Sequence, residues 1–258
     1  MSGTRLNVER LGDPGHPAVV CVHGLVADNL AGYYCSVAAR LVAAGHHVVM
    51  YDQRGHGRSE RPPTGYRLED FGADLLSLLD TLGLDRPVLV GNCFGAAVVL
   101  DLAVHHPGRL AGLALIEALL PTAAWAHALS GWLTAYADGV RAVGGIDRIE
   151  NKYGAQVARV SRRAVPLLHD TTLIGDIAKS RTRKTDDWGA VPVPVLAVYG
   201  GDFGLVEAAP VLERVLPRCR TAVIPGCGHN VLTAAPGTLG SLLLDWLREV
   251  RPPTVPTS

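Results

Sequence analysis

The apolar positions of this chain fall into two recurring patterns. Short unbroken runs, at Ala18–Val22 and at residues 48–51, 87–90, 113–116, 193–199 and 221–224, have the length and Val/Ile/Leu content of strands buried on both faces. Between them lie stretches with helical spacing, at 30–44, 68–82, 206–215 and 238–250. The clearest places Phe71, Leu75, Leu78, Leu79 and Leu82 on one face. Residues 5–10 alternate weakly and read as an edge strand closed by the turn Gly12-Asp13-Pro14-Gly15.

Strands alternating with helices predict an α/β fold with a mostly parallel sheet, right-handed crossovers and helices on both faces. From Leu119 to about Trp188 the pattern changes to helical stretches without strands. The expected organisation is therefore a core made of residues 1–118 and 189–258. Residues 119–188 are inserted as a helical lid over the carboxyl edge of the sheet, where such folds bind ligands. The Pro-rich residues 251–258 read as a disordered tail.

Composition narrows the function classes. The chain has 258 residues, with 24 Lys and Arg against 24 Asp and Glu. A balance of this kind gives no general attraction to nucleic acid or to an anionic membrane. No apolar run reaches the ~20 residues needed to span a bilayer, and residues 1–13 lack a basic-then-apolar signal layout. Five cysteines, odd in number and without a CxxC pair, argue against a disulfide framework or a zinc site. They suit a reducing, cytoplasmic setting. No cofactor or metal is expected.

The stretch that carries chemistry is Leu89-Val90-Gly91-Asn92-Cys93-Phe94-Gly95-Ala96. An apolar strand stops at a glycine, turns through three residues and passes a second glycine into an Ala-rich helix. This is the outline of a nucleophile elbow, with cysteine in the central place. Side chains at the two glycines would strike the neighbouring strand and helix. A thiol at such a turn has its anion stabilised by the helix dipole and free backbone N–H groups. The alternative is a buried structural cysteine between strand and helix.

Three further motifs follow in order: His23-Gly24, the turn Asp52-Gln53-Arg54-Gly55-His56-Gly57-Arg58-Ser59, and Pro225-Gly226-Cys227-Gly228-His229. With the elbow they resemble the α/β-hydrolase family over most of residues 17–248, the lid excepted. The resemblance implies a triad with Cys93 as nucleophile and His229 as its base or ion-pair partner. It implies an oxyanion hole from the backbone N–H groups of Leu25 and Phe94. His23 and the 54–59 turn read as structural supports.

The acid departs from the common pattern. Where the family usually has Gly-x-x-Asp, this chain reads Gly200-Gly201-Asp202-Phe203. Phe203 stands in the acid place and Asp202 comes one residue early. A carboxylate at the end of the strand after the elbow, in Ile116-Glu117-Ala118, offers a second position, used in branches such as the haloalkane dehalogenases. Glu117 is the expected acid, with Asp202 the alternative. Cysteine excludes the carboxylate-nucleophile chemistry of those dehalogenases and suits acyl transfer through a thioester.

The combination is similar to the Dieckmann cyclases of polyketide–peptide assembly lines. That resemblance implies an acyl thioester substrate on a carrier protein, taken onto Cys93 and released as a tetramic acid or pyridone. A thioesterase or lactone/ester hydrolase with the same triad is the alternative. A receptor-like binding protein without catalysis is the third reading. Trp125, Trp132 and Tyr136, with Tyr153, are candidates to line the acyl pocket. Between residues 159 and 184, seven basic residues stand against Asp170 and Asp176 and could face an acidic carrier.

Overall fold

A computed structural model describes residues 3–250, with the side chains of Tyr153 and Gln156 left out. The expected tail at 251–258 lies outside the described residues. Seven strands form one sheet: β1 (Val8–Leu11), β2 (Ala18–Val22), β3 (His47–Tyr51), β4 (Val88–Asn92), β5 (Gly112–Ile116), β6 (Val195–Gly200) and β7 (Cys219–Ile224). Their spatial order is β1-β3-β2-β4-β5-β6-β7. Only β1 pairs antiparallel, on β3; every other neighbouring pair is parallel. Because β2 to β7 run the same way, all their carboxyl ends open on one edge, where ligands bind in doubly wound sheets.

The helices, in chain order, are α1 (Ala31–Tyr34), α2 (Ala38–Ala43), α3 (Leu68–Thr81), α4 (Phe94–His105), α5 (Ala123–Arg141), α6 (Gly145–Tyr153), α7 (Ala155–His169), α8 (Leu173–Ala178), α9 (Ala209–Val215), α10 (Val231–Ala234) and α11 (Pro236–Glu249). Alternation along the strands sends side chains to opposite faces. Val20, Val22, Val49 and Leu89 meet α3, α4 and the helices between β5 and β6. Val19, Cys21, Val48 and Met50 meet α2 and α11. Between β5 and β6 the described residues hold α5 to α8 and a 3-10 segment, Thr185–Ala190, with no strand.

Two expected helices are broken. The 30–44 stretch divides into α1 and α2 around residues 35–37, where the Ser36 hydroxyl donates to the Gly32 carbonyl at 2.6 Å. The 206–215 stretch opens as a 3-10 segment, Gly204–Ala208, and becomes α-helical only from Ala209. Pro210 then falls in the first turn of α9, where its missing N–H costs nothing.

Candidate active site

The elbow forms as its glycines require. Cys93 follows β4 with φ 51° and ψ −111°, a strained backbone for a residue with a side chain. A Cβ on Gly91 would lie 2.5 Å from the Gly95 carbonyl oxygen, and one on Gly95 would lie 2.1 Å from that of Val22. The chain can therefore turn from β4 into α4 only with glycine at both places. The Cys93 N–H donates to the Ile116 carbonyl at 2.8 Å, so the strained residue is still tied to β5.

Glu117 follows β5 directly, also at positive φ (53°). Its N–H donates to the Val198 carbonyl at 2.9 Å, and its side chain is only 1% exposed. Both carboxylate oxygens are occupied. The Gly200 N–H donates to Oε1 at 2.6 Å, and His229 Nδ1 lies 3.0 Å from Oε2. Nδ1 being engaged, the other ring nitrogen is the one left to interact with Cys93. Cys93, His229 and Glu117 are thus brought together from the ends of β4, β7 and β5, with His229 bonded to Glu117 and interacting with Cys93.

These interactions raise the His229 pKa from 6.5 to about 10, that with Cys93 contributing most, then that with Glu117, with burial opposing. The ring therefore rests as an imidazolium that donates at both nitrogens. Its stabilising contribution is complete below pH ~6.5 and fades as pH rises through ~10. The stability difference between the protein and its His229→Gln variant should accordingly shrink between those limits. Urea denaturation across that range checks this; a difference independent of pH would show that the ring is not held charged.

Asp202 is exposed and is pinned through its backbone, its N–H donating to the Cys227 carbonyl at 2.9 Å. The one-residue shift leaves Phe203 over His229, with ring centroids 4.8 Å apart.

Of the two residues expected to supply oxyanion donors, Leu25 lies on the loop after β2 and Phe94 begins α4. Neither the Leu25 nor the Phe94 N–H has an acceptor among the described residues. Two buried histidines brace this loop against the turn after β3. His23 Nε2 accepts from the Gln53 N–H at 2.9 Å, while Gln53 Nε2 donates to the His23 carbonyl at 2.6 Å. His56 Nε2 accepts from the Val26 N–H at 2.8 Å, so its Nδ1 carries the proton and donates to the Arg54 carbonyl. Burial first, and the neighbouring His23, push the His56 pKa down to about 3 and keep this acceptor available. Val26 is held at φ 65°, next to Leu25. Asp28 Oδ2 joins loop to elbow, accepting from the Gly24 N–H at 2.7 Å and from Asn92 Nδ2 at 3.1 Å. His56, Asp28 and Gly200 were not singled out from sequence for these contacts. Only the Gly-rich setting of His56 and Gly200 hinted at close packing.

The aromatic candidates separate. Trp125 stacks on Phe94, centroids 6.2 Å apart, and lines an open cavity of about 320 Å³ with Leu119, Leu120 and Leu212. Trp132 stacks on Tyr136 and is 53% exposed, while the Tyr136 hydroxyl bonds Ser161 Oγ at 2.6 Å. Neither lines that cavity. The Tyr153 side chain lies outside the described residues. Of the basic stretch, Arg181 donates to Asp101 Oδ2 at 3.2 Å, and Arg183 Nη2 lies 3.4 Å from His105.

Comparison with known proteins agrees with this fold. The α/β-hydrolase fold profile matches residues 17–163, more than half of the chain. The chain belongs to the α/β-hydrolase fold family. Over 118 residues it is 39% identical to epoxide hydrolase A of Mycobacterium tuberculosis, a match covering 45% of this chain and 36% of that protein. The chain thus spans about a third of that relative. It is 28% identical to a non-heme chloroperoxidase of Streptomyces lividans, over 79% of this chain and 82% of that one. Among solved structures, a thermophilic esterase from Thermogutta terrifontis superposes with a TM-score of 0.76 at 24% identity, covering 96% and 95% of the two chains. No helix among the described residues is long and apolar enough to cross a membrane.

Proposed function

We propose that this α/β-hydrolase-fold protein is a cysteine-dependent hydrolase that cleaves an ester, lactone or thioester through an acyl-Cys93 intermediate. The observation that carries the reading is the grouping of Cys93, His229 and Glu117, with His229 bonded to Glu117 at 3.0 Å and its charged form favoured by Cys93. Cys93 Sγ attacks the substrate carbonyl. The Leu25 and Phe94 N–H groups receive the developing oxyanion, each such donor contributing roughly 2.7–4 kcal/mol to the transition state. His229 gives its proton to the leaving group and, then neutral, takes one from the water that attacks the thioester. Water addition releases the acid and returns the sulfur to its resting interaction with His229. Glu117 keeps Nδ1 engaged throughout, so that the other nitrogen is the one that exchanges protons.

The helical insert over the carboxyl edge acts as a lid, with Trp125 stacked on Phe94 of the elbow. Ring closure of a carrier-bound β-ketoacyl-aminoacyl thioester would use the same acyl-Cys93, a carbanion in the chain replacing water. The hydrolase and esterase names among the relatives support water as the acceptor.

The test is mass spectrometry after mixing the protein with p-nitrophenyl acetate and with an N-acetylcysteamine thioester. An acetyl group on the Cys93 peptide together with free acid is the expected result, and Cys93→Ser serves as the comparison. Free acid formed equally well by Cys93→Ala would sink the assignment. A β-ketoacyl-aminoacyl thioester yielding a product one water lighter than its acid would move the reading to cyclisation.

A further inference from the structure

Phe203 occupies the place where the family's acid usually stands, and the structure explains how. The Gly200 N–H is spent on Glu117. The Gly201 and Asp202 N–H groups donate to the carbonyls of Ile224 and Cys227, both at 2.9 Å. The loop after β6 is thereby sewn to the loop that carries His229. Asp202 is left exposed, and Phe203, in extended backbone (φ −128°, ψ 138°), lays its ring on the imidazole. The centroids are 4.8 Å apart and the planes 38° from parallel. Phe203 is 41% exposed, a large apolar side chain held at the surface with its partner only part-covered.

We propose that Phe203 is a positioning residue for His229, its aromatic face holding the ring in place and favouring the imidazolium. The inference rests on the role assigned to His229 above. Aromatic faces attract cations within about 6 Å of the ring centroid, and this ring is inside that distance. Because the acid sits on β5 instead, the loop after β6 is free to carry an apolar ring. The titratable groups that act on His229 are Cys93 from the elbow and Glu117 from β5, while Asp202 of the β6 loop acts on Cys227 of the His229 loop. Glu117 bonds the ring directly. Phe203 adds a contact on its flat side that neither Cys93 nor Glu117 can make.

The test compares Phe203→Leu, which keeps apolar cover but loses the aromatic face, with Phe203→Trp, which restores it. The exposed position makes both variants compatible with folding, and far-UV circular dichroism checks this. The readouts are the titration of the His229 ring nitrogens by ¹⁵N NMR and the pH profile of Cys93 alkylation by iodoacetamide. Neither needs a substrate, so the result stands apart from the proposed hydrolysis. Phe203→Leu should move the His229 midpoint down by about half a pH unit, with the alkylation profile following. Phe203→Trp should return it to within about 0.2 unit of the parent. A Phe203→Leu midpoint equal to the parent's, or a Phe203→Trp midpoint displaced as far as that of leucine, would overturn the proposal.

Discussion

Glu117→Gln is expected to lower kcat on an activated ester by roughly 10³–10⁴-fold, with Asp202→Asn staying within about twofold. The hydrogen bonds dictate how the new amide must lie. The Gly200 N–H can only donate, at 2.6 Å from Oε1, so the glutamine oxygen must take that place. Its NH₂ then faces His229 Nδ1, now 3.0 Å from Oε2, and also can only donate. Nδ1 becomes an acceptor, the neutral ring carries its proton on the nitrogen that faces Cys93, and no base remains for the nucleophile or the water. The volume of the side chain hardly changes, so circular dichroism should show an intact fold. Stopped-flow or steady-state kinetics on p-nitrophenyl acetate measures the loss. If Asp202→Asn cost as much, or if Glu117→Gln kept activity within about tenfold, the acid would lie elsewhere.

That ranking also shows where sequence patterns speak and where they fall silent. Strands such as Ala18–Val22 and the amphipathic α3 were legible because burial on two faces or one leaves a periodic trace. The elbow was legible because its glycines answer to backbone atoms, which do not vary with side-chain choice. The break between α1 and α2 was not, since no glycine or proline stands at residues 35–37 to mark it. The bracing of Val26 by His56 was equally hidden: it joins residues thirty positions apart through a single contact, and a histidine in a Gly-rich turn carries no mark of its partner. Phe203 was visible as a missing acid, but its seat over His229 depends on how two loops are sewn together. Local pattern reports periodic burial well and single long-range contacts poorly.

The largest effect on stability is expected at Gly95, whose replacement by alanine should destabilise the protein by more than about 4 kcal/mol. The added Cβ would stand 2.1 Å from the Val22 carbonyl oxygen and 2.6 Å from that of His23. Both are backbone atoms, at the end of β2 and just past it, and Val22 is paired in register with Tyr51 and with Gly91. Neither can retreat without breaking those ladders, so the strain has no flexible side chain to absorb it. Gly204 offers the contrast: nothing lies within 4 Å of a Cβ there, and Gly204→Ala should change stability by no more than about 0.5 kcal/mol. Thermal unfolding separates the two, since a domain of this size loses about 2–4 °C of Tm per kcal/mol. A fall of roughly 10 °C for Gly95→Ala, or failure to accumulate folded protein, is the expected result. A Tm within about 2 °C of the parent would mean that α4 can move away from β2. The positions of Cys93 and of the Phe94 N–H would then be held by something other than this close approach.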